Sequence, residues 1–277
     1  AFISSSFHSE EPAVYISFYK QKVAALKQQQ AELLDLIRAT DGLSYNNIRI
    51  ILNKIAESRY VLKETDFWLR YFEPVAYKKI NGPLPVEWET EVFEKYEAPY
   101  KREGAGLTLA ELYLDEKEIN KDSLISLITT SLQATNVFMA DSITRNLNTH
   151  HHFFLANRMF LLNLAAIYTT GFECPDTSRI IPELLHVLKS TESLYKAFNQ
   201  GFQSYKIDDS YTRLFEQTIS FVRNQPEDYT RFDHFNFIKK FINSNFIKLF
   251  IILNRIINGK NEKKSRRDFS SIRIELF

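Results

Sequence analysis

The sequence predicts an all-α protein built as a bundle of long helices, and three observations lead there. Apolar residues recur at three- and four-residue steps through most of the chain. Only seven glycines and eight prolines punctuate 277 residues, mostly between the periodic segments. The composition, 44% hydrophobic and 25% charged, is that of an ordinary globular protein whose core needs no staples.

Taken in order, residues 1–11 read as a disordered N-terminal segment, and the first helix runs from Pro12 to about Ala39. It buries Tyr15, Phe18, Leu26, Leu33 and Ile37, and Gly42 stops it. The second runs from about Tyr45 to Phe72 and ends at Glu73-Pro74, because a residue before proline is pushed out of the helical region. Asn81-Gly82-Pro83-Leu84-Pro85 is a rigid loop that something must fix. Trp88, Val92, Phe93 and Tyr96 suggest a short helix closed by Gly104-Ala105-Gly106, and Leu109, Leu112 and Tyr113 another.

A helix capped by Asp122 extends to about Leu147, and its successor spans His151 to Thr170 with Phe154, Arg158, Leu161 and Tyr168 on one line. Gly171 to Pro175 forms a loop. Asp176-Thr177-Ser178 then caps a helix from Arg179 to Phe198, with Pro182 in its first turn. Further helices span Asp208 to Arg223 and Tyr229 to Ile257, the last rich in Phe and Ile and expected to be buried on more than one side. The bundle domain is thus residues 12–258, with room for two packed bundles meeting near residue 120, and 259–277 reads as a basic linker or tail.

Several function classes fall away. Lys and Arg number 35 against 34 Asp and Glu, so the chain as a whole lacks the basic excess of a nucleic-acid binder. The apolar run from Phe246 to Ile257 is too short, and too interrupted by Lys248, Asn254 and Arg255, to span a membrane. Cys174 is the only cysteine, which excludes an internal disulfide, a thiolate metal cluster and a Cys-x-x-Cys-His haem attachment within this sequence. AFISSSFHSEE has no basic segment leading into an apolar one, so no signal peptide is read there.

Chemistry is sought first on the second helix. Ile48, Ile51, Leu52, Ile55, Arg59, Leu62, Asp66, Leu69 and Phe72 form one stripe, and two of its nine members are charged. Charges on an apolar stripe must find partners when buried. Lys63 lies between Arg59 and Asp66, and Arg158 repeats the anomaly, which suggests that it pairs with Asp66 or with an acid on a neighbouring helix. With Glu73 and Glu173 nearby, these residues make a candidate buried polar network or ligand pocket. No catalytic residue is assigned.

His150, His151 and His152 are weak metal candidates, since consecutive helical residues point about 100° apart. One Glu-x-x-His occurs, at Glu183 and His186, whereas a di-iron bundle requires two such motifs and further carboxylates on facing helices. Nucleophile-elbow and phosphate-loop signatures are absent, and Glu173 beside Cys174 disfavours a thiolate.

Two stretches carry a resemblance. Arg59 to Phe67, then Tyr71 and Asn81-Gly82-Pro83-Leu84-Pro85, resemble the Arg-x-x-(aromatic or aliphatic)-Lys-x-x-Glu run and Asn-Gly-(Pro)-Leu-Pro loop in the helical N-terminal, non-haem region of Bacteroidetes di-haem cytochrome-c peroxidases, with Asp66 in place of Glu. Thr170-Gly171-Phe172-Glu173-Cys174-Pro175, Ile181-Pro182-Glu183 and Phe232 to Ile238 are similar to later segments of that region, in the same order. The region is also distantly imelysin-like.

The resemblance implies an exported, periplasmic helical domain that partners c-type haem domains or another envelope protein. Haem c belongs to the resembled full-length proteins, and peroxidase activity does not carry over to a sequence with one cysteine. No cofactor is therefore expected on this chain. The imelysin Gly-x-His-x-x-Glu feature is absent as well, which leaves iron without its expected ligands. An imelysin-like metal- or small-ligand-binding function, using the charged pocket around Arg59, Lys63, Asp66 and Arg158, is the alternative expectation.

Overall fold

A computed structural model describes residues 11–88 and 100–264. They form a helical bundle, as the periodicity predicts, with one small two-stranded hairpin. Helix α1 (Ala13–Ala39) packs against α2 (Tyr45–Lys63), α6 (Lys121–Thr135) and α9 (Ile180–Gly201), so helices from both sides of residue 120 share its surface. Its buried line is Tyr15, Tyr19, Val23, Leu26, Gln30, Leu33, Leu34 and Ile37. Gly42, at φ +77°, takes the left-handed turn before Ser44 caps α2.

The single helix expected from Tyr45 to Phe72 is two. Helix α2 ends at Lys63, and α3 (Asp66–Phe72) begins after Thr65, whose N–H and hydroxyl both donate to the Leu62 carbonyl at 2.9 and 2.8 Å. That tightened turn breaks the ladder and sets Asp66 in the first turn of α3, where the helix dipole favours a carboxylate. Pro74 opens a further short helix, α4 (Pro74–Ile80), where its missing N–H is harmless.

Beyond the Asn81 loop the expected short helix gives way to a strand. Strand β1 (Val86–Trp88) pairs antiparallel with β2 (Tyr100–Arg102), Val86 opposite Arg102 and Trp88 opposite Tyr100. Pro83 and Pro85 bias the residues before them toward extended backbone, and the chain continues that way. Val92, Phe93 and Tyr96 lie outside the described residues. Gly106 opens α5 (Gly106–Tyr113) instead of closing a helix. Its φ is +59°, and a Cβ there would lie 2.0 Å from the Ile80 carbonyl oxygen, so only glycine fits.

The helix expected from Asp122 to Leu147 is also broken. Asn120, not Asp122, caps α6, and after a 3₁₀ turn (Asn136–Met139) an extended Ala140 precedes α7 (Asp141–Leu147). Helix α8 (His150–Ala166) buries Phe153, Phe154, Asn157, Phe160, Leu161 and Leu164. Asp176 caps the 3₁₀ turn (Thr177–Arg179) that leads into α9, and Asp208 caps α10 (Asp209–Arg223).

The final segment departs most from expectation. A 3₁₀ turn (Tyr229–Arg231), α11 (His234–Asn236), a π-helical stretch (Phe237–Ile242) and α12 (Asn243–Lys264) replace one continuous helix. The α12 backbone passes through Gly259 to Lys264, where a tail was expected. Burial on several sides is not found either, since Phe235, Ile247 and Phe250 are more than half exposed. Helix α12 is anchored by one face only, through Asn245, Leu249 and Ile252.

Candidate functional site: a buried charge network

The charged stripe of α2 and α3 meets α5, α9 and two loops in a buried junction. Arg59 is fully buried, at 0% exposure, and a guanidinium presents five N–H donors. Nε and Nη2 donate to the two oxygens of Glu183 at 2.7 and 3.0 Å, a bidentate pair. Nη2 also donates to the Glu173 carbonyl oxygen at 2.7 Å, and Nη1 to Asn81 Oδ1 at 3.0 Å and Thr108 Oγ1 at 3.4 Å. Every donor is used. Burial opposes the charge on Arg59, but Glu183 more than offsets it, and the guanidinium is held above its ordinary pKa.

Arg59 and Asp66 do not touch. The link between them runs through Lys63, whose Nζ donates to Asp66 Oδ2 at 3.0 Å and lies 4.0 Å from Glu183 Oε2. Arg70, one turn beyond Asp66, is 3.7 Å from its Oδ2 and forms a bidentate pair with Glu173. Tyr77 and Asn81 Nδ2 donate to the same Glu173 oxygen at 3.1 and 3.2 Å. Arg179 pairs with Glu111, whose other oxygen is 3.8 Å from Arg59 Nε.

Arg59, Lys63, Arg70 and Arg179 thus oppose Asp66, Glu111, Glu173 and Glu183, four of each sign. Burial raises the Asp66 and Glu183 pKa values, but the neighbouring cations outweigh it and both carboxyls lie below their ordinary range. Burial pushes the Cys174 thiol up to about 11, which leaves it a neutral donor to the Asp176 carbonyl at 3.2 Å.

The loop that needed fixing is fixed here. Asn81 Oδ1 accepts from Arg59 and from Thr108 Oγ1 (2.9 Å), Gly82 N–H donates to the Ala105 carbonyl (3.1 Å) and Leu84 N–H to that of Phe172 (3.0 Å). Free space is small. A cavity of about 10 Å³ lies between Lys63, Tyr168, Glu173, Cys174 and Glu183, room for one water and no organic ligand. Five buried atoms of the junction, Asp66 Oδ1, Arg70 Nε, Glu111 Oε2, Tyr168 Oη and Arg179 Nε, have no hydrogen-bond partner among the described residues.

Of the residues singled out in the sequence, Arg59, Lys63, Asp66 and Glu173 come together and Arg158 and Glu73 do not. Arg158 is exposed because the buried line of α8 is Phe153, Asn157, Phe160 and Leu164, a register beside the one it occupies. Glu73 ends α3, half-buried and outside the network. The His150 and His151 rings lie 4.0 Å apart, and His152 turns away from them to Tyr71. The His150 ring stacks on Tyr205 at 3.6 Å, His151 is exposed, and His152 Nδ1 is 2.8 Å from the Tyr71 hydroxyl. The Glu-x-x-His pair splits, with Glu183 on Arg59 and His186 Nε2 3.2 Å from Glu64. No group of three or more His, Cys, Asp or Glu among the described residues is placed to hold a metal.

Sequence reasoning missed Glu111, Arg70, Arg179, Asn81, Thr108, Tyr77 and Tyr168. Two signals were available, Arg70 four residues after Asp66 and Arg179 four before Glu183, both spacings at which helical charges meet. Comparison with known protein families, curated proteins and solved structures finds no match to this chain.

Proposed function

We propose that the chain is a non-catalytic helical module of the periplasm, of the kind its sequence resemblance implies, which docks on c-type haem domains or on another envelope protein. The observation that carries this reading is the closure of the network. Each of its eight charges lies against one of opposite sign, and the cavity lined by Lys63, Glu173 and Glu183 has room for a single water. Active-site charges are normally left facing a cleft that a substrate fills. The residues that bear the resemblance, from Arg59 through Asn81 to Glu173 and Glu183, are those that lock helices and loops together, so the motif is accounted for by architecture.

The test is spectroscopic and calorimetric. Purified chain is expected to lack a Soret band and peroxide turnover, and to give a saturable heat when titrated with the haem domains of a di-haem peroxidase. Stoichiometric covalent haem, or turnover by the isolated chain, would overturn the reading. An imelysin-like metal- or ligand-binding protein is the second reading, favoured by the unpartnered Asp66 Oδ1 and Tyr168 Oη. Iron or zinc bound more tightly than about 1 mM, and lost in Asp66→Asn, would select it.

A further inference from the structure

The geometry points to a second surface, the exposed face of α11 and α12, as a docking face for anionic lipid. It goes beyond the function proposed above and does not depend on the charged junction.

Two observations coincide there. The first is apolar exposure. Asn245, Leu249 and Ile252 hold α12 to the bundle, and Asn245 Nδ2 donates to Thr218 Oγ1 of α10 at 3.3 Å. On the opposite side Ile247, Phe250 and Ile251 follow one another at helical spacing with 61%, 52% and 42% of their surface in solvent. Phe235, at 69%, and Ile238 extend the apolar line toward α11. Single exposed apolar residues are ordinary, but a run of bulky ones along one element marks a contact surface.

The second observation is charge. Residues 231–277 contain 11 Lys and Arg against 4 Asp and Glu, whereas residues 1–230 contain 24 against 30. A chain close to neutral overall is therefore polarised along its sequence, and in residues 231–256, whose side chains the structure describes, five Lys and Arg stand against one Asp. Arg231, Lys239 and Lys240 are exposed, and Lys239 Nζ sits 5.2 Å from the centre of the Phe235 ring, so cation and apolar surface share one spot. Helix α8, which packs beside α12, exposes Leu155 and Leu162 with Arg158 between them.

Basic charge alone would suit nucleic acid or an acidic protein, and the apolar line decides between them. Duplex phosphates offer nothing to Ile247 and Phe250. Protein interfaces favour Phe and Arg along with Tyr, Trp and Met but are depleted in Lys, whereas this face sets exposed Lys239 and Lys240 beside Phe and Ile. That combination is the one by which interfacial helices sink apolar side chains below the headgroups while Lys and Arg reach the phosphates. No helix of the described residues is long and apolar enough to cross a membrane, so the contact is peripheral.

The test is co-sedimentation of the full chain with phosphatidylcholine vesicles, with and without phosphatidylglycerol. Binding is expected only when phosphatidylglycerol is present, and high salt should reverse it. Lys239→Glu combined with Lys240→Glu should weaken it about tenfold or more, since each cation contributes appreciably at an anionic surface. Phe250→Ser and, independently, Ile247→Asn should weaken it by removing inserted surface, with circular dichroism and thermal unfolding unchanged because both side chains are exposed. Absence of binding at low salt, or binding indifferent to all three changes, would overturn the inference. Self-association that Phe250→Ser abolishes, without lipid binding, would assign the face to a second copy of the chain instead.

Discussion

At the charged junction each donor of Arg59 has its own acceptor, and the groups that supply them come from α5, α9 and the two loops. In the aromatic block beside it, Phe153 and Phe198 stack at 3.6 Å, Tyr15 meets Phe198 and Phe202 edge-on at 5.5 and 5.9 Å, and Trp68 Nε1 donating to the Tyr15 hydroxyl at 2.7 Å adds a directional contact. Both regions are buried, but they hold the bundle by different physics. Ring packing is weakly directional and tolerates substitution by something of similar volume. A buried ion pair tolerates no loss of one partner, because the remaining charge is then stranded in a medium that cannot solvate it.

The sharpest way to break this contrast is Arg59→Met, which leaves Glu183 with only the more distant cations. A loss of about 3–5 kcal/mol in urea unfolding is expected. Arg59→Met combined with Glu183→Met should recover much of that loss, because exchanging both partners for apolar groups of similar volume is often close to neutral. A double variant as unstable as the single one would show that the pair does more than hold the fold together.

Acid removes the same contribution by protonation. The folded pKa values of Asp66 and Glu183 lie below the ordinary 3.8 and 4.5, so the folded state binds fewer protons than the unfolded chain. Their contribution is complete above those ordinary values and is lost as pH falls through the depressed folded ones. The urea midpoint should therefore drop steeply below about pH 4.5 for the native chain and less steeply for the Met/Met variant. Equal slopes would refute the assignment.

In the aromatic block the effects are smaller. Phe198→Leu should cost about 1–2 kcal/mol by losing ring contacts without stranding a charge, read from the same unfolding curves. Arg158→Ala, on the exposed face of α8, should change stability by no more than about 0.5 kcal/mol. A larger loss would return Arg158 to the network from which its register excludes it.

The distribution of legible and illegible features follows from the same contrast. The stripe Ile51, Ile55, Arg59, Leu62, Asp66 announced both the buried face that runs from α2 into α3 and the two charged residues on it that demanded partners, because helical spacing is a local property. Asp176 as a cap, and Pro182 in a first turn, were equally local. Breaks at Thr65 and Ala140 were not seen, since one hydroxyl or one extended residue ends a helix without disturbing the apolar period. The strand at Val86 was misread because three residues carry no period at all.

By itself, then, the sequence determined the helical class, the order of most helices, and the fact that Arg59, Lys63 and Asp66 were buried charges in search of opposites. Only the tertiary structure decided who those opposites are. Glu183 lies 124 residues from Arg59 and Glu173 lies 103 from Arg70, and no spacing rule spans such distances. Burial needs only a face, which one helix can declare alone. Neutralising a charge needs a partner at hydrogen-bond distance, and that partner is delivered by how the helices pack.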